Sequence, residues 1–587
     1  MGGGFVRGRS ALLALAAACC ALVTACTDSP PPPLVSAPPT TVTPTRPTDP
    51  TQLVVGVDSV KGGFNPHLLA NQTTVTRALG ELVLPSVFHT GPDGSPLLDK
   101  TLMVSAEVTK ANPYTVTYTI QPQAAWGDGA PIAAEDFAYL WQNMRSQPGV
   151  IDPAGYRLIS GVSARDGGRV ADVTFSQPYP GWRSLFSDLL PAHVLKDAPG
   201  GWTGALSETF PAAGGPFSIR NIDPERGEIV LQRNDRYWGA STKLQQIVLR
   251  QAGPADLVSA LKTGDDQLAV LNPSDSTSKA LTELGKAVNL TTVPNPVVVE
   301  VLLRQGGARL SDPTLRAAVF AAIDREALIT LGTGGGPSAS LRADSLVLAP
   351  SQPGYKPTIP AGVGAPNHDL VNQLLTQAGY TKTNGSWLKD GVPLNLVIGA
   401  PNDRAPYSQL AGVLQQQLSA AGIGATILNT SGDQLFGTVL PATTTTTPTT
   451  TTGTAPADNQ GSDGDSSVDI GIVPQAVGGD PASVLAASFG CRGPLPDGGT
   501  ALPAANPDGF CDHGLQPTVE AALTGALSLS DALATVEPAL WSQHVAMPLF
   551  QLADVLATGS EITGVNGGPP LVGPFAGAPT WRRSVRR

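Results

Sequence analysis

The first residues that invite chemistry are Val23-Thr24-Ala25-Cys26. They follow Arg7, Arg9 and an uncharged apolar run from Ala11 to Val23. A charged start, a short hydrophobic stretch and a small residue before cysteine make the layout of a lipoprotein export signal. The run is shorter than the ~20 residues a helix needs to cross a bilayer. Residues 1–25 are therefore expected to be a signal peptide, and the thiol of Cys26 the lipidation site that becomes the new N-terminus. Cys19 and Cys20 leave with the leader. The expected location is the extracytoplasmic face of the cell membrane, on the periplasmic or cell-wall side, with the N-terminal lipid in the membrane.

Two cysteines remain, Cys491 and Cys511. In an oxidising compartment a lone pair of thiols predicts a disulfide. A metal pair is the weaker alternative, because the six histidines of the chain are scattered. Catalysis would need a nucleophile, a base and an orienter. The sequence contains no G-x-S-x-G, no H-E-x-x-H and no Cys/His couple. Gly332-Thr333-Gly334-Gly335-Gly336 resembles a phosphate cradle only superficially, since Pro337 stands where Lys and Ser/Thr would be required. It reads as a helix stop. No catalytic residue, metal or cofactor is expected. A net charge of −11 without basic stripes also argues against nucleic acid as a partner.

The elements that would carry a binding surface are interleaved. Leu53 to Val57 reads as a buried first strand, and Val116–Ile120 and Val170–Phe175 as further strands. Phe137, Leu140, Trp141 and Met144 share one helical face. So do Leu315, Val319, Ala322 and Ile323, and again Leu410, Val413, Leu414, Leu418 and Ala421, the last ending at Gly422. Alternating strands and helices predict an α/β fold. Residues 26–51, rich in Pro and Thr, form an extended stalk, and 441–467, with its threonine run, is expected to be a disordered insert. Those threonines are alternatively acceptors for O-mannosylation.

Several blocks together resemble family 5 extracytoplasmic solute-binding proteins, the peptide-binding class. They are Trp126-Gly127-Asp128-Gly129 leading to Glu135-Asp136-Phe137, Gly215-Pro216-Phe217 with Asn234-Asp235-Arg236-Tyr237-Trp238-Gly239, and Ser311-Asp312-Pro313 leading to Asp324-Arg325-Glu326. Leu374 to Tyr380 and Val545 to Phe550 follow in the family's order. Within that family, Phe64-Asn65-Pro66-His67, Asp152-Pro153-Ala154-Gly155-Tyr156 and Leu190-Pro191-Ala192-His193 are similar to LpqW-type lipoproteins of actinobacteria, as are the two late cysteines. The resemblance implies a two-lobed periplasmic-binding-protein fold (type II, cluster C) with an extra β-rich subdomain. It places lobe I at 52–88, 209–297 and 530–587, the subdomain at 89–208 and lobe II at 298–529. It implies regulation of phosphatidylinositol mannoside and lipoarabinomannan synthesis through an acylated mannoside or its mannosyltransferases. The alternative is an ABC-permease receptor for peptides or another solute.

Local chemistry explains much of each block. Asp128-Gly129 is a turn pair. Ala133 stands where a capping Ser or Thr is usual, so that cap should be missing. Trp126 and Trp238 read as packed aromatics, and Asp324-Arg325 as local ion pairing. Ligand contact falls to Phe64, Asn65 and His67 in the first lobe, and to Gln475 and Asp480 in the second. Peptide-binding relatives hold the ligand's ammonium with an aspartate shortly before a proline. Here Val473 to Gly479 carries no acid, and Asp480 adjoins Pro481 directly. That departure disfavours free peptides and leaves Gln475 to bond neutral hydroxyls. The basic tail Arg582, Arg583, Arg586 and Arg587 reads as a frayed end, with anionic headgroups as the other reading.

Overall fold

The computed structural model describes residues 49–307, 309–441, 467–491, 506–507 and 509–584. The leader with Cys26, most of the stalk and the threonine-rich stretch lie outside the described residues, as do Arg586 and Arg587. No described helix is long and apolar enough to cross a membrane.

The strand Gln52–Val57 is buried along nearly its whole length and runs parallel to both neighbours, Gln246–Gln251 and Leu268–Leu271. An apolar run of this kind suits a strand covered on both faces. It belongs to a mixed sheet of ten strands. The order is Gly424–Thr430, Asn395–Pro401, Ile470–Ala476, Val288–Leu303, Ala546–Gly559, Leu268–Leu271, Gln52–Val57, Gln246–Gln251, Glu228–Arg233 and Phe217–Asp223.

Val288–Leu303 and Ala546–Gly559 pair antiparallel and tie the two halves together. One end of the second pairs with Leu268–Leu271, and the far end of the first with Ile470–Ala476. Their register slips between Pro294 and Val298. Such an irregularity bends and re-aims a ladder, and here it falls between two cores. One core holds Leu53, Leu79, Ile247 and Leu556. The other holds Val301, Val319, Leu410, Ile472 and Leu540.

This corrects one boundary. Residues 530–550, expected in lobe I, pack in the second core through Val536, Leu540, Val545, Leu549 and Phe550. The strand Ala546–Gly559 is long enough to serve both lobes, so the crossing falls within it.

The β-rich subdomain is a four-stranded antiparallel sheet in the order Met103–Ala111, Tyr114–Ile120, Val170–Phe175, Ile159–Arg165. Helix Ala134–Ser146 packs on it with Phe137, Leu140, Trp141 and Met144 buried. The cap judged missing at Ala133 is supplied from the other direction. The Asp136 carboxylate accepts the Ala133 N–H at 2.9 Å, the Ala192 N–H at 2.9 Å and Trp126 Nε1 at 3.3 Å. Trp126 is buried, and Trp238 is half-buried with its Nε1 donating to Thr101 O at 2.7 Å.

Helices Pro313–Ala322 and Tyr407–Ala420 bury the stripes read from sequence. Gly422 follows the second with φ +84, which glycine adopts without strain. Asp324 caps helix Arg325–Thr333 through the Ala327 N–H. Arg325 makes no local pair; it is buried and reaches distant groups, a second correction. Its Nε donates to Pro548 O at 2.8 Å, and its Nη2 to Ala343 O at 2.7 Å and Asp344 Oδ1 at 2.9 Å. Arg304 donates to Leu440 O at 2.8 Å and Val468 O at 2.9 Å, tying together the two flanks of the threonine-rich stretch. The tail is not frayed through Arg583, which pairs with Glu561 while Arg582 ladders with Thr563.

Cys491 and Cys511 form a disulfide across 20 positions. Replacing both by serine is expected to cost ~3 kcal/mol from the loop-closure entropy of a loop this long. Denaturant melts of oxidised and variant protein check this, and equal midpoints would refute it.

Candidate functional site

A cavity of about 480 Å³ lies at the seam between the subdomain and the second lobe. His67, His89, Asp152, Arg183, Asp188 and Asp480 supply its charged and titratable lining. Phe88, Met144, Ile151 and Leu185 supply apolar wall. A wider, more open cleft of about 650 Å³ runs beside the edge strand Phe217–Asp223. Two of its three arginines are already engaged, Arg233 by Asp235 and Arg236 by the Gly127 carbonyl. The cavity at the seam, where two parts of the fold meet, is the better candidate.

Backbone strain collects around it. Asp152 (φ 45), Phe186 (φ 60) and Asp188 (φ 48) occupy the left-handed region without being glycine. Such conformations cost free energy and persist where surrounding structure enforces them, commonly at functional sites. Asp188 is held by its own backbone: its N–H donates to Ser86 Oγ at 2.8 Å, and its carbonyl meets His67 Nε2 at 2.9 Å.

The carboxyls around the cavity resist ionisation. Burial pushes Asp152 up to about 7, reinforced by Asp480 and opposed by the Ser483 hydroxyl. Burial raises Asp188 to about 6, with His89 pulling the other way. Behind it, burial and the Asp188 charge raise Glu81 to about 7. Burial works against a charge on His89, but the Asp99 carboxylate 3.3 Å away more than offsets it and raises the imidazole. His67 is the opposite case: burial lowers it to about 4, so it is neutral at ordinary pH. Its ring stacks on Trp202 with centroids 5.8 Å apart.

Of the residues singled out from sequence, His67 and Asp480 line this cavity. Phe64 and Asn65 do not. Phe64 packs in the first core, and Asn65 Nδ2 donates to Trp202 O at 3.0 Å. Both hold the loop that presents His67. Gln475 is buried against a narrow neighbouring void and donates one amide N–H to Leu346 O at 2.9 Å; it does not line the cavity. Asp480 caps helix Pro481–Phe489 and accepts from Tyr179 Oη at 3.1 Å. Sequence reasoning missed Asp152, Asp188 and Tyr179. Asp152 opens a stretch that carries the family resemblance, but nothing local marks it as buried and strained.

A two-lobed α/β body, long strands crossing between lobes and an interlobe cavity define a solute-binding protein. The chain belongs to the bacterial extracellular solute-binding proteins, family 5, whose middle-region model matches residues 101–472. It is 36% identical to the probable monoacyl phosphatidylinositol tetramannoside-binding protein LpqW of Mycobacterium tuberculosis, over 92% of each chain. It is 29% identical to the oligopeptide-binding protein OppA of the same species, over 63% of each. The oligopeptide-binding protein AppA of Bacillus subtilis, solved with a nonapeptide, superposes with a TM-score of 0.68 at 15% identity, covering 91% of this chain and 99% of that one. The expected two-lobed fold with its extra subdomain is therefore the fold found, and the chain is an extracytoplasmic binding protein of the LpqW type.

Proposed function

We propose that the protein holds the sugar headgroup of an acylated mannoside in the interlobe cavity. In doing so it regulates that lipid's passage into phosphatidylinositol mannoside and lipoarabinomannan synthesis, without chemistry of its own. The observation that carries this reading is the lining: Asp152 and Asp188 both face the cavity, and burial raises both carboxyls toward the neutral form. A neutral carboxyl donates one hydrogen bond and accepts others, which suits vicinal hydroxyls. Extended likeness to LpqW, over 92% of the chain, supports the same choice. A lipid on Cys26 would confine protein and client to one surface and raise their effective concentration. Elongating mannosyltransferases are the partners this role requires.

The second reading is a receptor delivering peptides to an ABC permease, favoured by the OppA likeness. The stretch Val473 to Gly479 gives it no ammonium anchor, and the Asp480 carboxylate is occupied by its helix and by Tyr179. Binding of monoacylated phosphatidylinositol tetramannoside in detergent, against a peptide library, decides between them. A saturating ligand at a hundred times its Kd should add ~2.7 kcal/mol of thermal stability. Stabilisation by mannoside and none by peptides is expected; stabilisation by peptides alone would sink the proposal.

A further inference from the structure

Asp152 and Asp480 come from opposite sides of the seam, one from the subdomain and one from the second lobe. Glycines let the two backbones meet there. A Cβ on Gly479 would strike the Asp152 carboxylate, and one on Gly181 would strike that of Asp480. On Gly525, held at φ +76, it would strike Pro180. Across the same line Tyr179 Oη donates to Asp480 at 3.1 Å, and the Gly155 N–H donates to Ser483 Oγ at 3.4 Å. The Ser483 hydroxyl bonds the Asp152 carboxyl, yet its Oδ1 is buried there with no hydrogen-bond partner among the described residues.

The groups facing Asp152 are Asp480 and Ser483 of the second lobe, with Tyr156 and Tyr179 of its own subdomain. Those facing Asp480 are Tyr179, Asp152 and the N–H groups of Ala482 and Ser483. None of these is a cation. Two carboxylates in this setting repel one another and lose hydration as the seam closes.

We infer that Asp152 and Asp480 form a clasp across the interlobe seam, which closes only when a hydrogen-bond donor is supplied at the unpartnered Oδ1 of Asp152, either by a ligand hydroxyl or by a proton on the carboxyl itself. This rests on the reading of the interlobe cavity as the ligand site, and it names the group that selects a hydroxyl-bearing headgroup. It also couples closure to pH. In the closed form burial holds Asp152 at about 7, whereas a solvated aspartate titrates near its ordinary value. A group raised in the closed form favours closure below the ordinary range, and that preference is lost as pH rises through the closed-form value. The closed-to-open ratio should fall by up to about tenfold per pH unit toward pH 7 and level off beyond.

The test uses the mature full chain without ligand. Small-angle scattering and single-molecule energy transfer between the subdomain and the second lobe are recorded from pH 5 to pH 8. Wild type should be closed at the acid end and open at the alkaline end. Asp152→Asn, which always carries a donor, should stay closed throughout, and Gly479→Ala should stay open throughout. A wild type insensitive to pH, or an Asp152→Asn variant that tracks it, overturns the clasp. If Asp152→Asn does not fold, Gly479→Ala decides: closure at pH 5 in that variant overturns the proposal. Binding of the tetramannoside at pH 6, measured separately, keeps the two claims apart. Mannoside binding with pH-invariant closure removes the clasp and leaves the function, whereas pH-dependent closure without mannoside binding does the reverse.

Discussion

Replacing Arg325 by methionine is expected to lower stability by about 4 kcal/mol, because removing one partner of a buried ion pair strands the rest. The guanidinium stands among Pro548 O, Ala343 O and Asp344 Oδ1, all within 2.9 Å of its donors. Methionine matches the length of the arginine stem but donates nothing. Two carbonyls and a half-buried carboxylate would lose their partner, and a buried acceptor left unmatched costs ~1–3 kcal/mol. The carbonyl of Pro548 belongs to the strand that crosses between lobes, so the damage should reach the crossing itself. Urea unfolding gives the number. A control at exposed Arg226 should move the midpoint by less than ~0.5 kcal/mol. A loss under about 1 kcal/mol for Arg325→Met would show that the second lobe repacks around the vacancy and that the network is not structural.

This arginine also marks where the sequence stops being legible. Asp324-Arg325-Glu326 sits on a helix, and local pairing is the reading that helix geometry offers. The partners of Arg325 lie at 343–344 and 548–549, 18 to 224 positions away in the chain, beyond the reach of helix periodicity. What local periodicity governs came through well. The stripe Phe137, Leu140, Trp141, Met144 and the run Leu53–Val57 are buried as their spacing requires. Capping was half legible: a missing hydroxyl at Ala133 is visible in sequence, but the carboxylate that replaces it works backwards from Asp136.

The cavity was the hardest part to read. His67 lies in a stretch that resembles the family and does reach it. Phe64 and Asn65, three and two residues away, turn inward because the loop needs them to pack and to bond Trp202 O. Asp152 and Asp188 gain their character from burial and left-handed backbone, and neither property has a sequence signature beyond Asp itself. Asp480 was visible beside Pro481, a pairing that signals a helix start. Its second role at the seam comes from Tyr179, 301 positions earlier in the chain.

The same buried acids set the pH at which the molecule is most stable, and the expected result is a protein steadier at pH 5 than at pH 8. Glu81 and Asp152 are raised to about 7, and Asp136 and Asp188 to about 6, in each case by burial first. In the unfolded chain all four titrate near their ordinary values. A carboxyl raised by folding contributes stability that is full below its unfolded value and lost as pH rises through the folded one. For these four the window runs from about pH 4 to pH 7. His67 opposes them at the acid end. Lowered to about 4 by burial, it contributes stability that is complete above its ordinary value and lost as pH falls through 4. Asp58, raised to about 7 by burial, acts in the same direction, so the raised acids outweigh His67 and leave a net gain on acidification, with the optimum near pH 5. Each tenfold change in proton affinity is worth ~1.4 kcal/mol. Three of the four are only partly shielded from solvent, and with screening allowed the total should be on the order of 4 kcal/mol between pH 8 and pH 5. Calorimetry across that range checks it, and Asp152→Asn together with Asp188→Asn should flatten the slope. A melting temperature that instead rose from pH 5 to pH 8 would mean that these acids remain charged and hydrated in the folded state, and that outcome would count against the clasp as well.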